Sequence, residues 1–139
     1  VTPQDFEEVK HLLSPVVAKR TEHVVMECER VRNAVAALKA GNLKELGAIL
    51  NAGHQSLSEL YEVTGIELDT LSGLERKQEG CLGSRMIGAG FGGCTISIVE
   101  KSKVAAFIQN VDKAYEEAIG YKASFYETSI EDGITVQKL

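Results

Sequence analysis

The sequence predicts an α+β domain in which helices come first and a small, mainly antiparallel sheet of about four strands follows, with one helix packed on that sheet. Three observations favour this class. The first half of the chain carries apolar residues at helical spacing, and the second half carries short alternating runs typical of strands. Six of the 13 glycines fall between positions 80 and 93, where they separate two of those runs.

Two dipeptides mark the first helices. Thr2-Pro3 and Ser14-Pro15 each combine a preferred N-cap residue with a proline at the first helical position. The second pair opens a long helix that is predicted to end at about Ala40, before Gly41. One apolar stripe runs along this helix, formed by Val24, Cys28, Val31, Val35 and Leu38.

Capping boxes predict the starts of the next two helices. Asn42 and Glu45 form the first, and Thr64 and Glu67 form the second. The last of these helices is predicted to stop at Gly80. The side chains expected to face inward are Leu43, Leu46, Leu50, Leu57 and Tyr61 in the first helix, and Leu68, Leu71 and Leu74 in the second.

The second half predicts strands arranged around one helix. Residues 84–87 and 94–99 flank the glycines, and residues 123–128 and 134–136 are two further strand candidates. A helix lies between these pairs; it is capped by Ser102 and followed by Gly120. Its expected inward set is Val104, Phe107, Ile108, Val111 and Tyr115.

Length and composition limit the classes of function that the chain can have. A chain of 139 residues fits a single domain, residues 1–139, and a net charge of −5 without a basic cluster argues against nucleic acid as a partner. No stretch reaches the roughly 18 apolar residues of a membrane span, so no membrane is expected. Three cysteines without CxxC spacing favour reduced thiols and a cytoplasmic location. The first residue is Val1 rather than Met, which indicates processing or a piece of a longer chain.

The glycine cluster satisfies a nucleotide-binding pattern but in the wrong context. Gly88, Gly90 and Gly93 match GxGxxG, yet a strand-like run follows them where a dinucleotide fold requires a helix. No lysine follows Gly93, as a P-loop would require, and the chain has no HRD or DFG segment. Spacing alone therefore favours a structural hairpin over a ligand-binding loop.

Three motifs, found in a fixed order along the chain, favour a ligand-binding loop instead. Residues 83–94 resemble the third signature motif of galactokinases, within the GHMP family of small-molecule kinases, whose usual form is G-A-R-M-T-G-A-G-F-G-G-C. Residues 53–57 are similar to the family's S-H-x-S-L, and residues 61–71 are similar to its Y-E-V-[ST]-x-x-E-L-D-x-L. The resemblance covers most of residues 20–139.

The resemblance implies a GHMP-kinase C-terminal domain, separated from an N-terminal half that carries the catalytic residues and the phosphate loop. The whole enzyme would transfer the γ-phosphoryl group of ATP to the C1 hydroxyl of galactose, with Mg²⁺. This domain would supply one wall of the cleft, hold no catalytic residue, bind no cofactor by itself and be inactive alone. Its partners would be the N-terminal domain of the same protein, galactose and ATP.

The same motif indicates which residues line the cleft. Backbone N–H groups of the loop could face the substrate or the phosphate loop opposite, or the loop could only shape the cleft. Arg85 would contact phosphate or act as a brace across the cleft, or it would be a solvated or salt-bridged strand residue. The expected cleft residues are Arg85, Gly88, Ala89, Gly90, Phe91, Gly92 and Gly93.

Other polar residues have simpler interpretations. His54 and Ser56 lack an evident third partner for hydrolysis, so His54 is predicted to be a packed, hydrogen-bonded helix residue. Glu67 and Asp69 are expected to stabilise a helix N-terminus through its dipole. Cys94 is expected to be a buried, small apolar residue.

Three alternatives stay open at this point. The chain could belong to another GHMP kinase, such as one acting on N-acetylgalactosamine, mevalonate or homoserine, although the loop sequence favours the galactokinase branch over the last two. It could belong to a non-catalytic, galactokinase-like regulatory protein. It could also be a free-standing α+β binding module.

Overall fold

The computed structural model describes residues 1–129 and residue 136. Within them, helices precede a two-stranded sheet and one helix follows it, with short 3-10 or π turns at Lys10–Leu12, Leu57–Tyr61 and Lys101–Lys103. The main elements are α1 (Pro3–Val9), α2 (Pro15–Lys39), α3 (Leu43–Ser56), α4 (Gly65–Glu75), β1 (Cys81–Ile87), β2 (Cys94–Val99) and α5 (Val104–Ile119).

Most helix ends lie where the sequence predicts them. Thr2 and Asp5 form a reciprocal capping box, and the Asn42 side chain accepts the N–H of Glu45. Gly120 ends α5 in the left-handed conformation that glycine adopts at low cost. The predicted box at Thr64 is wrong, because this buried side chain makes no cap hydrogen bond.

The apolar stripe of α2 is exposed. Val24, Val31, Val35 and Leu38 are all open to solvent, whereas His23, Val25 and Ala37 are buried. The helix packs against α1, α3 and the turn at Leu57–Tyr61, and these contacts select the face that carries His23. Leu43 and Tyr61 are also exposed, which contradicts their predicted inward position.

In the described residues the sheet is antiparallel and has two strands. β1 pairs with β2 so that Ile87 lies opposite Cys94 and Arg85 lies opposite Ile96. Residues 123–128 form no strand, so the expectation of about four strands is wrong for the described part of the chain. These residues line a cleft that β2 also lines, and no described backbone hydrogen bond joins them to it. An extended segment becomes a strand only through such bonds. The candidate at 134–136 lies outside the described residues apart from Val136.

A small core lies directly below the glycine loop. Leu57, Leu68 and Met86 are buried together, with Val63 packed against them. Apolar burial of this kind is the main stabilising contribution in a domain of this size. The core therefore fixes the end of β1 from which the loop starts. No helix in the described ranges is both long and apolar enough to cross a membrane.

Candidate functional site

The connection between β1 and β2 is an exposed loop, residues 88–93, with an unusual backbone. Gly88, Gly90 and Gly92 have φ of +78°, +86° and +93°. Phe91 also has a positive φ, +56°, which is rare for a bulky residue, and its side chain is 78 % exposed. Strain of this kind persists only where surrounding contacts hold the backbone.

The corner before α4 supplies that contact. The carbonyl oxygen of Val63 accepts the N–H of Phe91 at 2.8 Å. A Cβ added to Gly90 would lie 2.0 Å from the same oxygen, so only glycine allows this approach. Glu62, the residue before, is itself left-handed with φ +59°, and its carboxylate pairs with Arg20 and Lys19 of α2. The loop is thus seated on a corner that α2 braces.

Arg85 acts as a brace between β1 and α2. Its guanidinium donates to Glu27 Oε1 at 2.5 Å, and Arg30 donates to the other oxygen of Glu27 at 2.7 Å. Burial disfavours the charged form of Glu27, but the hydrogen bonds of Arg30 and Arg85 outweigh it and lower the pKa of the carboxyl. An added Cβ at Gly53 would lie 2.7 Å from the Arg85 guanidinium, so glycine there leaves the space that this arginine occupies.

The histidine beside the loop has partners of its own. His54 is 2 % exposed; its Nδ1 accepts the N–H of Met86 at 3.0 Å, and its Nε2 lies 3.1 Å from Asp69. Ser56 instead bonds to His23, so His54 and Ser56 form no hydrolytic pair. His54 is a packed, hydrogen-bonded residue, as predicted. Asp69 does not serve the helix N-terminus as predicted, because it bonds His54 and Ser58.

A buried carboxylate network underlies the sheet, and the sequence did not reveal it. Glu75 is 4 % exposed and accepts hydrogen bonds from Ser84 at 2.5 Å and Thr95 at 2.8 Å. The Ser72 hydroxyl lies 3.1 Å from the Ser84 hydroxyl and donates to the Ser84 carbonyl oxygen at 3.3 Å. Burial raises the pKa of Glu75. The one signal for this network is Ser84, which stands where the resembled motif has alanine.

Glu75 should make stability depend on pH. Its folded pKa is raised above the ordinary value of 4.5, so the folded state holds the proton more tightly than the unfolded state does. The contribution of protonated Glu75 to the free energy of unfolding is therefore fully present below pH 4.5, and it is lost as the pH rises through the folded pKa. We expect Glu75→Gln to flatten the fall in melting temperature above pH 4.5. Glu8→Gln, at an exposed site on α1, is the control; equal pH slopes for both variants would contradict the prediction.

The loop borders a larger cleft. Gly92, Gly93 and Cys94 lie at the edge of a cleft of about 990 Å³, which α4, β2, α5 and residues 121–129 also line. Cys94 is exposed, so the prediction that it is buried is wrong. Among the described residues, no group of three or more His, Cys, Asp or Glu side chains is placed to hold a metal ion. Residues 88–93 carry no polar side chain, so the polar groups that the loop offers a ligand are backbone N–H and carbonyl groups.

The fold and loop agree with a known family. The family model described as GHMP kinases C terminal matches residues 34–117, which include α3, α4, the sheet and the loop. The chain belongs to the GHMP kinase family.

Individual relatives of this GHMP kinase chain are galactokinases. It is 51 % identical to the galactokinase of Enterococcus faecalis, over 94 % of this chain and 34 % of that protein. It is 48 % identical to the galactokinase of Halalkalibacterium halodurans, over 99 % of this chain and 35 % of that protein. The crystal structure of Lactococcus lactis galactokinase complexed with galactose superimposes with a TM-score of 0.88 at 47 % identity, covering 91 % of this chain and 33 % of that one. The chain thus spans about a third of the length of the relatives it matches.

Proposed function

We propose that this chain is the C-terminal part of a galactokinase, which transfers the γ-phosphoryl group of ATP to the C1 hydroxyl of galactose and yields galactose 1-phosphate. The observation that carries the proposal is the similarity, near 50 % identity, over almost the whole chain to galactokinases of two organisms. The likeness to a galactokinase solved with galactose supports the same sugar. The partner domain is the remaining two thirds of such a protein.

The loop suits one wall of a phosphoryl-transfer site. Phosphoryl transfer requires a protein mainly to position the reactants and to stabilise spreading negative charge. Successive backbone N–H groups in a turn with left-handed residues form a concavity that favours anions. Residues 88–93 provide such a turn, exposed and held at Val63. Arg85 contributes as a brace rather than as a phosphate ligand, because Glu27 already holds its guanidinium.

The cofactors are assigned to the whole enzyme. ATP would supply the phosphoryl group, and Mg²⁺ would neutralise the phosphate charge. The described residues of this domain present no acidic cluster that fits Mg²⁺, so we assign this domain no step through the metal. The three free cysteines suit a reducing compartment, which supports a cytoplasmic enzyme.

The test is a kinase assay on the full-length protein that carries this chain. We expect galactose-dependent ADP release with ATP and Mg²⁺, and a galactose 1-phosphate signal in ³¹P NMR. Residues 1–139 alone should give no turnover, because the loop is only one wall of the site. Three results would contradict the proposal: turnover by the isolated chain, turnover of N-acetylgalactosamine in place of galactose, or sugar and nucleotide binding without turnover.

A further inference from the structure

We propose that His54 is a positioning residue for phosphoryl transfer, which holds the start of the glycine loop through the N–H of Met86 while Asp69 fixes its tautomer. The inference rests on the galactokinase function proposed above and adds a specific side chain that sets the loop. It is carried by the way α3 covers the edge of β1 that faces away from β2.

Two side chains of α3 occupy alternate N–H groups along that edge. Asn51 Oδ1 accepts the N–H of Ser84 at 2.9 Å, and His54 Nδ1 accepts the N–H of Met86 at 3.0 Å. Residues three apart on a helix lie on one face, and residues two apart on a strand point their N–H groups to the same side. Helix α3 therefore takes the place of a neighbouring strand. Of the two bonds, the one from His54 lies nearer the loop.

The partners of His54 define its protonation. A backbone N–H can only donate, so Nδ1 carries no proton and Nε2 carries it. The Nε2–H group then points at Asp69 Oδ1, 3.1 Å away, and the Ser58 hydroxyl holds the other oxygen of Asp69 at 3.0 Å. This arrangement works only with a neutral ring, because a second proton on Nδ1 would face the Met86 N–H.

Met86 transmits this contact to the loop. It lies two residues before Gly88, is 3 % exposed and belongs to the core below the loop. Its sulfur lies 3.1 Å from where a Cβ of Gly90 would be. A shift of Met86 would therefore displace both the start of the loop and the residue seated on Val63. Displacements of about 1 Å in a reaction site can cost on the order of a hundredfold in rate.

Charges around the ring set the pH range in which the anchor holds. Asp69 of α4, Arg76 at the C-cap of α4 and Arg85 of β1 act on the ring, and Glu59 lines the same small surface cleft. Burial and the positive charge of Arg76 lower the pKa of His54 despite Asp69, so the ring stays neutral below the ordinary value of 6.5. The anchor is lost only as pH falls through that lowered pKa. We expect kcat to fall over the same pH range.

Two isosteric replacements in the full-length enzyme test the proposal. The amide oxygen of His54→Asn can take the place of Nδ1 and accept the Met86 N–H. His54→Gln extends toward Asp69 and leaves that N–H unpaired in the interior. We expect His54→Gln to lower kcat about tenfold with little change in KM, and His54→Asn to stay within about threefold of wild type and to lose the acidic fall in kcat. Asn51→Ala is the matched control, because it removes the other edge bond and should lower the melting temperature without this loss in kcat.

A second readout does not depend on activity. Deuterium exchange in the peptide that spans β1 and the loop should speed up in His54→Gln but not in His54→Asn. Equal kcat and equal exchange in the two variants would overturn the proposal. If His54→Gln fails to fold, Asp69→Leu takes its place, because it removes the acceptor that keeps the proton on Nε2 of His54. This variant should show a smaller fall in kcat and a smaller rise in exchange. Wild-type kcat and exchange in Asp69→Leu would also overturn the proposal. Absence of galactose turnover in the wild type would instead refute the proposed function, and the exchange result would still decide whether His54 holds the loop.

Discussion

Replacing Gly47 by alanine should lower the melting temperature of the full-length protein by roughly 5 °C. Helix α3 and strand β1 meet backbone to backbone at this point. A Cβ on Gly47 would lie 2.0 Å from the carbonyl oxygen of Leu82, and a Cβ on Gly83 would lie 2.2 Å from the carbonyl oxygen of Gly47. No flexible side chain can move aside, so helix and strand must separate. Overpacking commonly costs about 1–3 kcal/mol of stability, and we expect Gly47→Ala to cost about 3 kcal/mol or more.

A second helical glycine provides the control. Gly73 lies inside α4 and has no atom within 4 Å of an added Cβ. Gly73→Ala should therefore stabilise the protein by roughly 0.5–1 kcal/mol, the ordinary gain of alanine over glycine in a helix. Thermal unfolding of both variants measures the contrast. If Gly47→Ala melts at or above the wild-type temperature, the close approach of α3 to β1 does not govern stability.

Local signals predicted the loop and several helix ends, although Ser14 makes no cap hydrogen bond, α5 begins after Lys103 rather than after Ser102, and α4 ends at Glu75 rather than at Gly80. Thr2-Pro3, Asn42 and Gly120 act within one turn of themselves, so their effect can be read without knowing the rest of the fold. The glycine loop is also local, and its motif identified the candidate site. The approach of Gly90 to Val63 could not be predicted, because it joins positions 27 residues apart through a backbone carbonyl that any residue type would provide.

Burial was harder to predict than helix position. The spacing of Val24, Val31 and Val35 correctly places them on one stripe of α2, but spacing cannot tell which face a neighbour covers. The covered face carries His23, which hydrogen-bonds Ser56, and the small side chain of Ala37. Hydrogen bonds and close approach select this face, and a pattern of apolar residues does not detect either.

The strand candidate at residues 123–128 failed for a related reason. The residue types of a segment indicate whether it prefers an extended backbone, but a strand forms only where a neighbouring strand pairs with its backbone hydrogen-bonding groups. The polar pairs of the site follow the same rule: His54 with Met86 and Glu75 with Ser84 lie 32 and 9 residues apart. The role of each of these side chains depends on a hydrogen-bond partner that only the folded structure brings next to it.

Replacing Gly90 by alanine should lower the kcat/KM of the full-length enzyme about a hundredfold or more. Two independent costs act at this position. The φ of +86° disfavours any L side chain, and an added Cβ would lie 2.0 Å from the Val63 carbonyl oxygen. The loop can relieve that contact only by lifting from the corner at Val63, which also breaks the hydrogen bond from the Phe91 N–H. If the loop forms a wall of the reaction site, as proposed, that wall would then lose the shape that positions the reactants.

Two other glycines of the loop separate these costs. Gly88 has φ of +78° but open space around an added Cβ, whereas Gly93 has no positive φ and its nearest neighbour would lie at an ordinary 3.5 Å. Gly93→Ala should therefore keep near-normal kinetics, and Gly88→Ala should fall between the two. Steady-state kinetics and thermal unfolding of the three variants test this order. Equal kinetics for Gly90→Ala and Gly93→Ala would mean that the contact with Val63 does not set the loop. The predicted order would show that a single carbonyl, outside the glycine motif, holds the loop in place.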